Sequence, residues 1–439
     1  MSAGPSDERR RAGPIRFRCF LRNTILDVMR SRGWLETDSD LDWDYSWMDV
    51  GWIRENYDHV RLDDHQRLNH YRNHYELTRK DVMVKNFKKA RKVFEKEGNA
   101  EEVAAWDFFP VTYSLPQDYG LFEQEFKRHP NAIWIMKPPA KAQGKGIFLF
   151  SKLSQVSEWK KEFKQKVSGI PNNAAANRLN DIYGAQESVE PYLAQRYIHN
   201  PHLVGGKKYD LRIYVLVESY NPLTVWLHRT GFARFCHQRY SLDDIDNTFI
   251  HVTNVAVQKT NPKYTAMSGC KFGIRNLRTI ITATHGADRA NRLFDEIQTL
   301  ILRTIFAVQR VIIHDKHCLE LYGYDVMIDD QLHPWLIETN ASPSLTAETP
   351  ADYHLKFNML DDMFNVIDME KRRQGDEKRI GGFDLIWSNG PVGPVKGYHA
   401  TVPLQNCYLG CANEEEIPIA QMRLPPRLQG HDSSERLLT

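Results

Sequence analysis

The sequence predicts a mixed α/β chain built on antiparallel sheets, and three patterns predict it. The first is a strand over 132–136, then Lys137-Pro138, then a glycine loop and second strand in Gln143-Gly-Lys-Gly-Ile-Phe-Leu-Phe150. No helix follows these glycines directly, so neither a Walker loop nor a dinucleotide fingerprint fits. The second is the alternating β-branched run 208–217, a strand with 225–227 and 231–235 as its antiparallel neighbours. The third is 324–328, a polar turn, then 335–340, which reads as a hairpin. A further strand is predicted over 192–198, and short strand-like pieces surround Trp34, Trp43, Tyr45 and Trp47. Helical spacing covers 76–98, 293–313 and 353–367.

A chain of 439 residues is long enough for two or three subdomains around a sizeable core. Its 41% hydrophobic and 26% charged content is that of an ordinary folded protein. A net charge of +2 does not by itself call for a nucleic-acid or membrane partner. No apolar stretch reaches the length of a membrane span, and the first residues lack the apolar centre of a signal peptide. The six cysteines have no repeated paired spacing. Cys407 and Cys411 read as free thiols rather than half of a zinc site, and a reducing cytosolic setting is expected.

The expected organisation is a disordered basic arm over 1–14, an N-terminal part over 15–130, a central part over 131–200 and a C-terminal part over 201–370. A mobile loop is expected at 168–190, and a largely irregular tail over 371–439. The 76–98 helix carries Arg79, Lys80, Lys85, Lys88, Lys89, Arg91 and Lys92. Such a run is either a solvated face or a dock for an acidic partner. Lys160, Lys161 and Lys164 form a second basic patch.

The hairpin carries the chemistry. A turn centred between Gln331 and Leu332 sets Asp325 across from Glu338. Alternation puts Asn340 on the same face as Glu338. Carboxylates crowded among apolar neighbours repel and are costly to desolvate unless a cation joins them. Hard oxygen ligands of this kind suit magnesium bound to a nucleotide phosphate. Lys137 can reach a phosphate as a point charge, and the Gln143-Gly144 loop lets backbone approach it. Each of these two signals is weak alone.

Together the motifs resemble the tubulin tyrosine ligase-like family, in its glutamate-adding branch. They are Lys137-Pro…Gln143-Gly-Lys-Gly-Ile147, Gln195-Arg-Tyr-Ile198, Lys208-Tyr-Asp-Leu-Arg212, Gly231-Phe-Ala-Arg234-Phe, His251-Val-Thr-Asn254, Tyr322-Gly-Tyr-Asp325 and Ile337-Glu-Thr-Asn-Ala-Ser-Pro-Ser344. The resemblance runs from about Trp34 to Ile367. It implies an ATP-grasp fold, with N-terminal, central and C-terminal subdomains and ATP between two sheets. It implies phosphate contacts from Lys137, Gln143 and Gly144, and an adenine-side hinge of Gln195, Arg196, Tyr197 and Ile198. Lys208, Tyr209 and Asp210 would hold the nucleotide, with Thr253 and Asn254 lining the same pocket. Asp325, Glu338 and Asn340 match the magnesium ligands, and Arg234, Lys271 and Lys356 the residues that bind incoming glutamate.

Free glutamate carries two carboxylates, so several cations suit it, and Arg234 can fork onto one of them. Lys271 can also be read as a plain loop lysine, and Lys356 as a surface residue on its helix. The implied partners are free L-glutamate, the acidic tails of tubulin in microtubules and an accessory subunit, with no nucleic acid and no membrane insertion. The implied setting is cytoskeletal, including ciliary or flagellar axonemes and basal bodies. Competing readings are a non-catalytic nucleotide-binding scaffold and a glycine or tyrosine ligase of the same fold.

Overall fold

The computed structural model describes residues 13–139, 141, 143–156, 191–264, 271–393, 406 and 408–411. Residues 1–12 of the expected arm, the 168–190 loop, the patch at Lys160, Lys161 and Lys164, and Cys407 lie outside the described residues.

Three sheets organise the chain. The first is parallel, with β1 (Arg16–Cys19), β2 (Leu35–Glu36), β3 (Tyr45–Trp47) and β4 (Arg67–Leu68) in the order β2-β1-β3-β4. The second is antiparallel, with β5 (Thr112–Leu115), β6 (Trp134–Lys137), β7 (Phe148–Phe150) and β8 (Tyr192–Arg196) in the order β5-β8-β6-β7. The third contains β9 (Leu203–Val204), β10 (Lys207–Tyr220), β11 (Leu223–Phe235), β12 (Phe272–Gly273), β13 (Glu320–Ile328), β14 (Pro334–Asn340), β15 (Arg379–Ile380) and β16 (Phe383–Ser388). Its main path runs β14-β13-β10-β11-β16-β15.

Two cores press on the large sheet, one from each side. Leu211, Ile213, Val215 and Val217 of β10 face a core shared with the helices Ile274–His285 and Ala287–Gln309. Tyr214 and Leu216 face the other core, built with the first sheet and the helix Pro350–Ile367. Covering both faces explains why the 208–217 run has so few exposed positions. At one end of the second face the apolar residues give way to Lys208, Asp210, Arg212, Arg234 and Asp325, all buried.

The expected 76–98 helix is a short turn, Tyr75–Thr78, followed by the helix Lys80–Lys96. The expected 353–367 helix begins earlier, at Pro350, because the Thr349 side chain caps it by accepting from the Asp352 N–H. The tail differs more. Where irregular chain is expected beyond 370, β15 and β16 add to the large sheet beside β11. The Arg229 guanidinium donates to both oxygens of Asp384 at 2.8 and 2.5 Å, deep beneath them. The Gly410 N–H donates to the Arg229 carbonyl at 2.8 Å, and the Arg379 guanidinium lies 4.2 Å above the Tyr408 ring. The Gly, Pro and charge content of the tail hid two strands held by ion pairs as well as by apolar contact.

Phe364 locks the helix Pro350–Ile367 to the first sheet, edge-on to Trp34 at 4.8 Å and to Tyr45 at 5.1 Å between ring centres. Phe364→Ala should lower unfolding stability by about 3–5 kcal/mol in a urea titration followed by fluorescence.

Candidate functional site

The carboxylate hairpin folds with a correction inside it. Ile328 pairs with Pro334 and Val326 with Leu336, so the turn centres on Gln331. The register then shifts, and Asp325 pairs with Glu338. Ile337 is the extra residue of a β-bulge, which restores the pairing that the turn alone would have offset by one. Asp325 and Glu338 line one cleft, together with Met327 and Ile337. Asn340 lies on the Glu338 face, as its amide nitrogen donates to the Gly323 carbonyl at 3.3 Å and to Glu338 Oε1 at 3.4 Å.

Cations of the chain already meet both carboxylates. Arg212 forks onto Asp325 at 2.6 and 3.2 Å, and Arg234 Nη2 reaches Asp325 at 2.6 Å. Arg234 also forks onto Asp210 at 2.8 and 2.5 Å. Gly323 permits this, since a Cβ there would come within 2.8 Å of Pro343 and 3.3 Å of the Arg212 side chain. Glu338 takes the Lys80 ammonium at 2.9 Å. Burial raises the Asp325 carboxyl above its ordinary value, against the pull of Arg212 and Arg234. Burial also pushes Glu338 up, but Lys80, Arg234 and Arg212 outweigh it and hold Glu338 well below the usual range.

The opposite wall comes from the second sheet. Ile135, Lys137, Gln143, Gly144 and Ile147 line it. Gln143 and Gly144 both have positive φ, 63° and 73°, and a Cβ on Gly144 would stand 2.7 Å from Val257. This loop therefore keeps its backbone at the cleft surface only with glycine. Lys137 Nζ donates to Gln195 Oε1 at 2.5 Å, and Gln195 in turn donates to Thr112 at 2.8 Å. Lys208 Nζ donates to the Tyr197 hydroxyl and the His251 carbonyl, both at 2.8 Å. Neither lysine has a carboxylate at ion-pair distance among the described residues. Burial pulls both ammonium groups down to about 8. Two buried cations held by neutral groups are suited to an anionic ligand.

Arg196, Tyr197, Ile198, Asp210, Arg234, Thr253 and Asn254 also line the cleft. The N–H groups of Arg196 and Tyr197 are taken by the Val111 and Ile133 carbonyls, at 2.8 and 2.9 Å. Any base recognition by this segment falls to its other backbone groups. Tyr209 corrects the expected site. Alternation along β10 turns it away from Lys208 and Asp210 into the core, where its hydroxyl meets His202 at 2.8 Å. Lys271 and Lys356 are outside the cleft lining but grip one carboxylate, Asp352, at 2.5 and 3.1 Å. Lys356 is 1% exposed, which excludes the surface reading, and burial pulls its ammonium down to about 8.

Comparison with known proteins gives these residues a context. The model of the tubulin-tyrosine ligase family matches residues 58–375. The chain belongs to this family. It is 47% identical over 431 residues to the probable tubulin polyglutamylase TTLL9 of Bos taurus, covering 94% of each chain. It is 46% identical over 386 residues to the probable tubulin polyglutamylase ttll-9 of Caenorhabditis elegans, covering 88% of this chain and 87% of the relative. It is 44% identical over 392 residues to the probable alpha-tubulin polyglutamylase Ttll1 of Tetrahymena thermophila, covering 84% and 91%.

Within this family member, Lys80, Arg212 and His251 are cleft or carboxylate partners to which the sequence assigned no such role. Arg212 was within reach, because period two sets it on the face of Lys208 and Asp210. Lys80 gave no such signal. It stands in the basic helix, and only the tertiary fold brings it to Glu338.

Lys137 ties the stability of the cleft to pH. Its depressed value means that the charged form costs stability, so its contribution improves as pH rises from about 8 toward 10.5. Lys137→Met should leave the ligand-free protein at least as heat-stable at pH 7 in calorimetry. The same variant should bind inorganic triphosphate at least about tenfold more weakly. Wild-type affinity for triphosphate should itself fall between pH 7 and 9.5, as Lys137 and Lys208 lose their protons.

Proposed function

We propose that this chain is a tubulin polyglutamylase, an ATP-dependent ligase that joins glutamate to γ-carboxylates of glutamates in tubulin tails. Relatives named as tubulin polyglutamylases match it across nearly its whole length. The observation that carries the chemistry is the cleft between two antiparallel sheets. On one wall Asp325 and Glu338 stand paired; on the other, the Lys137 ammonium is held by the neutral Gln195 side chain beside the Gln143-Gly144 loop. This agrees with an ATP-grasp reading in which 15–130, 131–200 and 201–370 supply its three parts and ATP lies between the sheets.

The donor set fits magnesium in kind. Asp325 and Glu338 offer hard carboxylate oxygens, and Asn340, whose nitrogen is engaged, keeps its amide oxygen as the remaining ligand atom. Magnesium bound by these three residues would supply charge neutralisation to the transferring phosphoryl group. Lys137, Lys208 and the Gln143-Gly144 backbone would hold the phosphates, with Arg196, Tyr197 and Ile198 beside the base. An acceptor γ-carboxylate would take the γ-phosphoryl of ATP, giving an acyl phosphate and ADP. The amine of free glutamate would then attack the acyl carbon, forming the isopeptide bond and releasing phosphate. No covalent enzyme intermediate is needed, and positioning with preorganised charge provides the rate. Arg234, Lys271 and Lys356 would take the two carboxylates of the incoming glutamate.

The acceptor is acidic, and the helix Lys80–Lys96 exposes Lys85, Lys88, Lys89, Arg91 and Lys92. This face is our proposed dock for a tubulin tail, and the cytoskeleton, in cilia or flagella, the proposed place of action. With the three metal-type ligands all present, a non-catalytic scaffold is the weaker reading.

Glu338→Gln should reduce incorporation of labelled glutamate into tubulin by at least about 100-fold while the circular dichroism spectrum stays unchanged. Mass spectrometry of tubulin tails after incubation with ATP, magnesium and each amino acid in turn should show mass added by glutamate alone; glycine or tyrosine addition refutes the donor. Reversing Lys85, Lys88, Lys89 and Lys92 to Glu should weaken microtubule cosedimentation and flatten its salt dependence.

A further inference from the structure

Free glutamate brings three charges, two carboxylates and an ammonium. Arg234, Lys271 and Lys356 answer the carboxylates, and the ammonium still needs acceptors. Among the described residues, two buried oxygens near these cations, one on β10 and one on the helix Pro350–Ile367, have no hydrogen-bond partner. Tyr214 is 0% exposed, and its hydroxyl has no hydrogen-bond partner among the described residues. Asp352 is 4% exposed. Its Oδ2 takes Lys271, Lys356 and the Glu348 N–H, while its Oδ1 is buried without a partner among the described residues. Buried polar atoms are rarely left this way, and each such atom asks for an explanation.

The two belong to one neighbourhood. Alternation sets Tyr214 on the β10 face of Asp210 and Arg212. Its phenol lies in the field of Arg212, Arg234 and Asp325 and also in that of Asp352. Its ring meets Phe232 edge-on at 6.5 Å, and Lys271 Nζ lies 5.0 Å from the Phe232 ring centre. Phe232 thus joins Tyr214 to Lys271, whose ammonium holds Asp352. An ammonium has only donors, and both orphan atoms can accept.

Building on the proposed glutamate ligation, we propose that the Tyr214 hydroxyl and the Asp352 carboxylate receive the ammonium of the incoming glutamate and so aim its nitrogen. The carboxylate-binding cations alone would accept any dicarboxylic acid of similar length. These two oxygens select the amino acid among them, because a dicarboxylate without the amine leaves both atoms unbonded.

The test compares L-glutamate with glutarate, which lacks only the amine, by calorimetric titration of the full chain with magnesium and a non-hydrolysable ATP analogue. Wild-type protein should bind glutamate at least about tenfold more tightly than glutarate. Tyr214→Phe removes one orphan oxygen and little volume. It should weaken glutamate roughly tenfold, leave glutarate and nucleotide affinities unchanged and shrink the preference. Asp352→Asn, which keeps the shape, should shrink it as well. A wild-type preference retained in both variants overturns the assignment, as does equal weakening of glutamate and glutarate. Binding of neither acid to wild-type protein refutes the glutamate-donor reading itself, and the assignment with it.

Discussion

Asp325 and Glu338 stand opposite one another on paired, mostly buried strands, and the surrounding structure exists on that condition. Two carboxylates so close cannot both be ionised in an apolar setting without cations nearby. Arg212 and Arg234 serve Asp325, and Lys80 serves Glu338. These cations come from separate parts of the chain, so closing the hairpin draws β10, β11 and the basic helix into one charge network. Hydrophobic packing sets where the large sheet lies, and this network fixes how its polar end is assembled.

The network also shapes what a ligand meets. Arg234 is held by Asp210 and Asp325, and Lys271 and Lys356 by Asp352. A ligand at these groups exchanges one set of ion pairs for another and need not bring charge into an empty low-dielectric space. Such exchange keeps the net gain modest and makes recognition depend on geometry more than on raw attraction. Lys137 and Lys208 are different, because neutral groups hold them. The strongest pull on an anion is therefore on the second-sheet side of the cleft and beneath it.

Much of this was legible in sequence where local periodicity governs. The β10 run, the hairpin and the long helices follow from alternation and helical spacing, and Asp325 opposite Glu338 follows from counting across a turn. The count succeeded with the turn centre misjudged, because an unforeseen bulge at Ile337 compensated. Tyr209 was assigned to the nucleotide with its motif neighbours, although alternation alone turns it away. Lys80 at Glu338 and Lys271 with Lys356 at Asp352 join distant segments and leave no local pattern. β15 and β16 were missed for a related reason, as ion pairs and a cation over an aromatic ring secure a segment whose composition reads as loop.

Those last two strands bear on where the protein may be cut. The match to the family model ends at residue 375, before either strand begins. A chain shortened there would leave Arg229 charged, enclosed and without Asp384, a loss of about 3–5 kcal/mol by the usual penalty for halving a buried pair. It would also uncover the edge of β11. The span that the family model matches is thus smaller than the unit that folds.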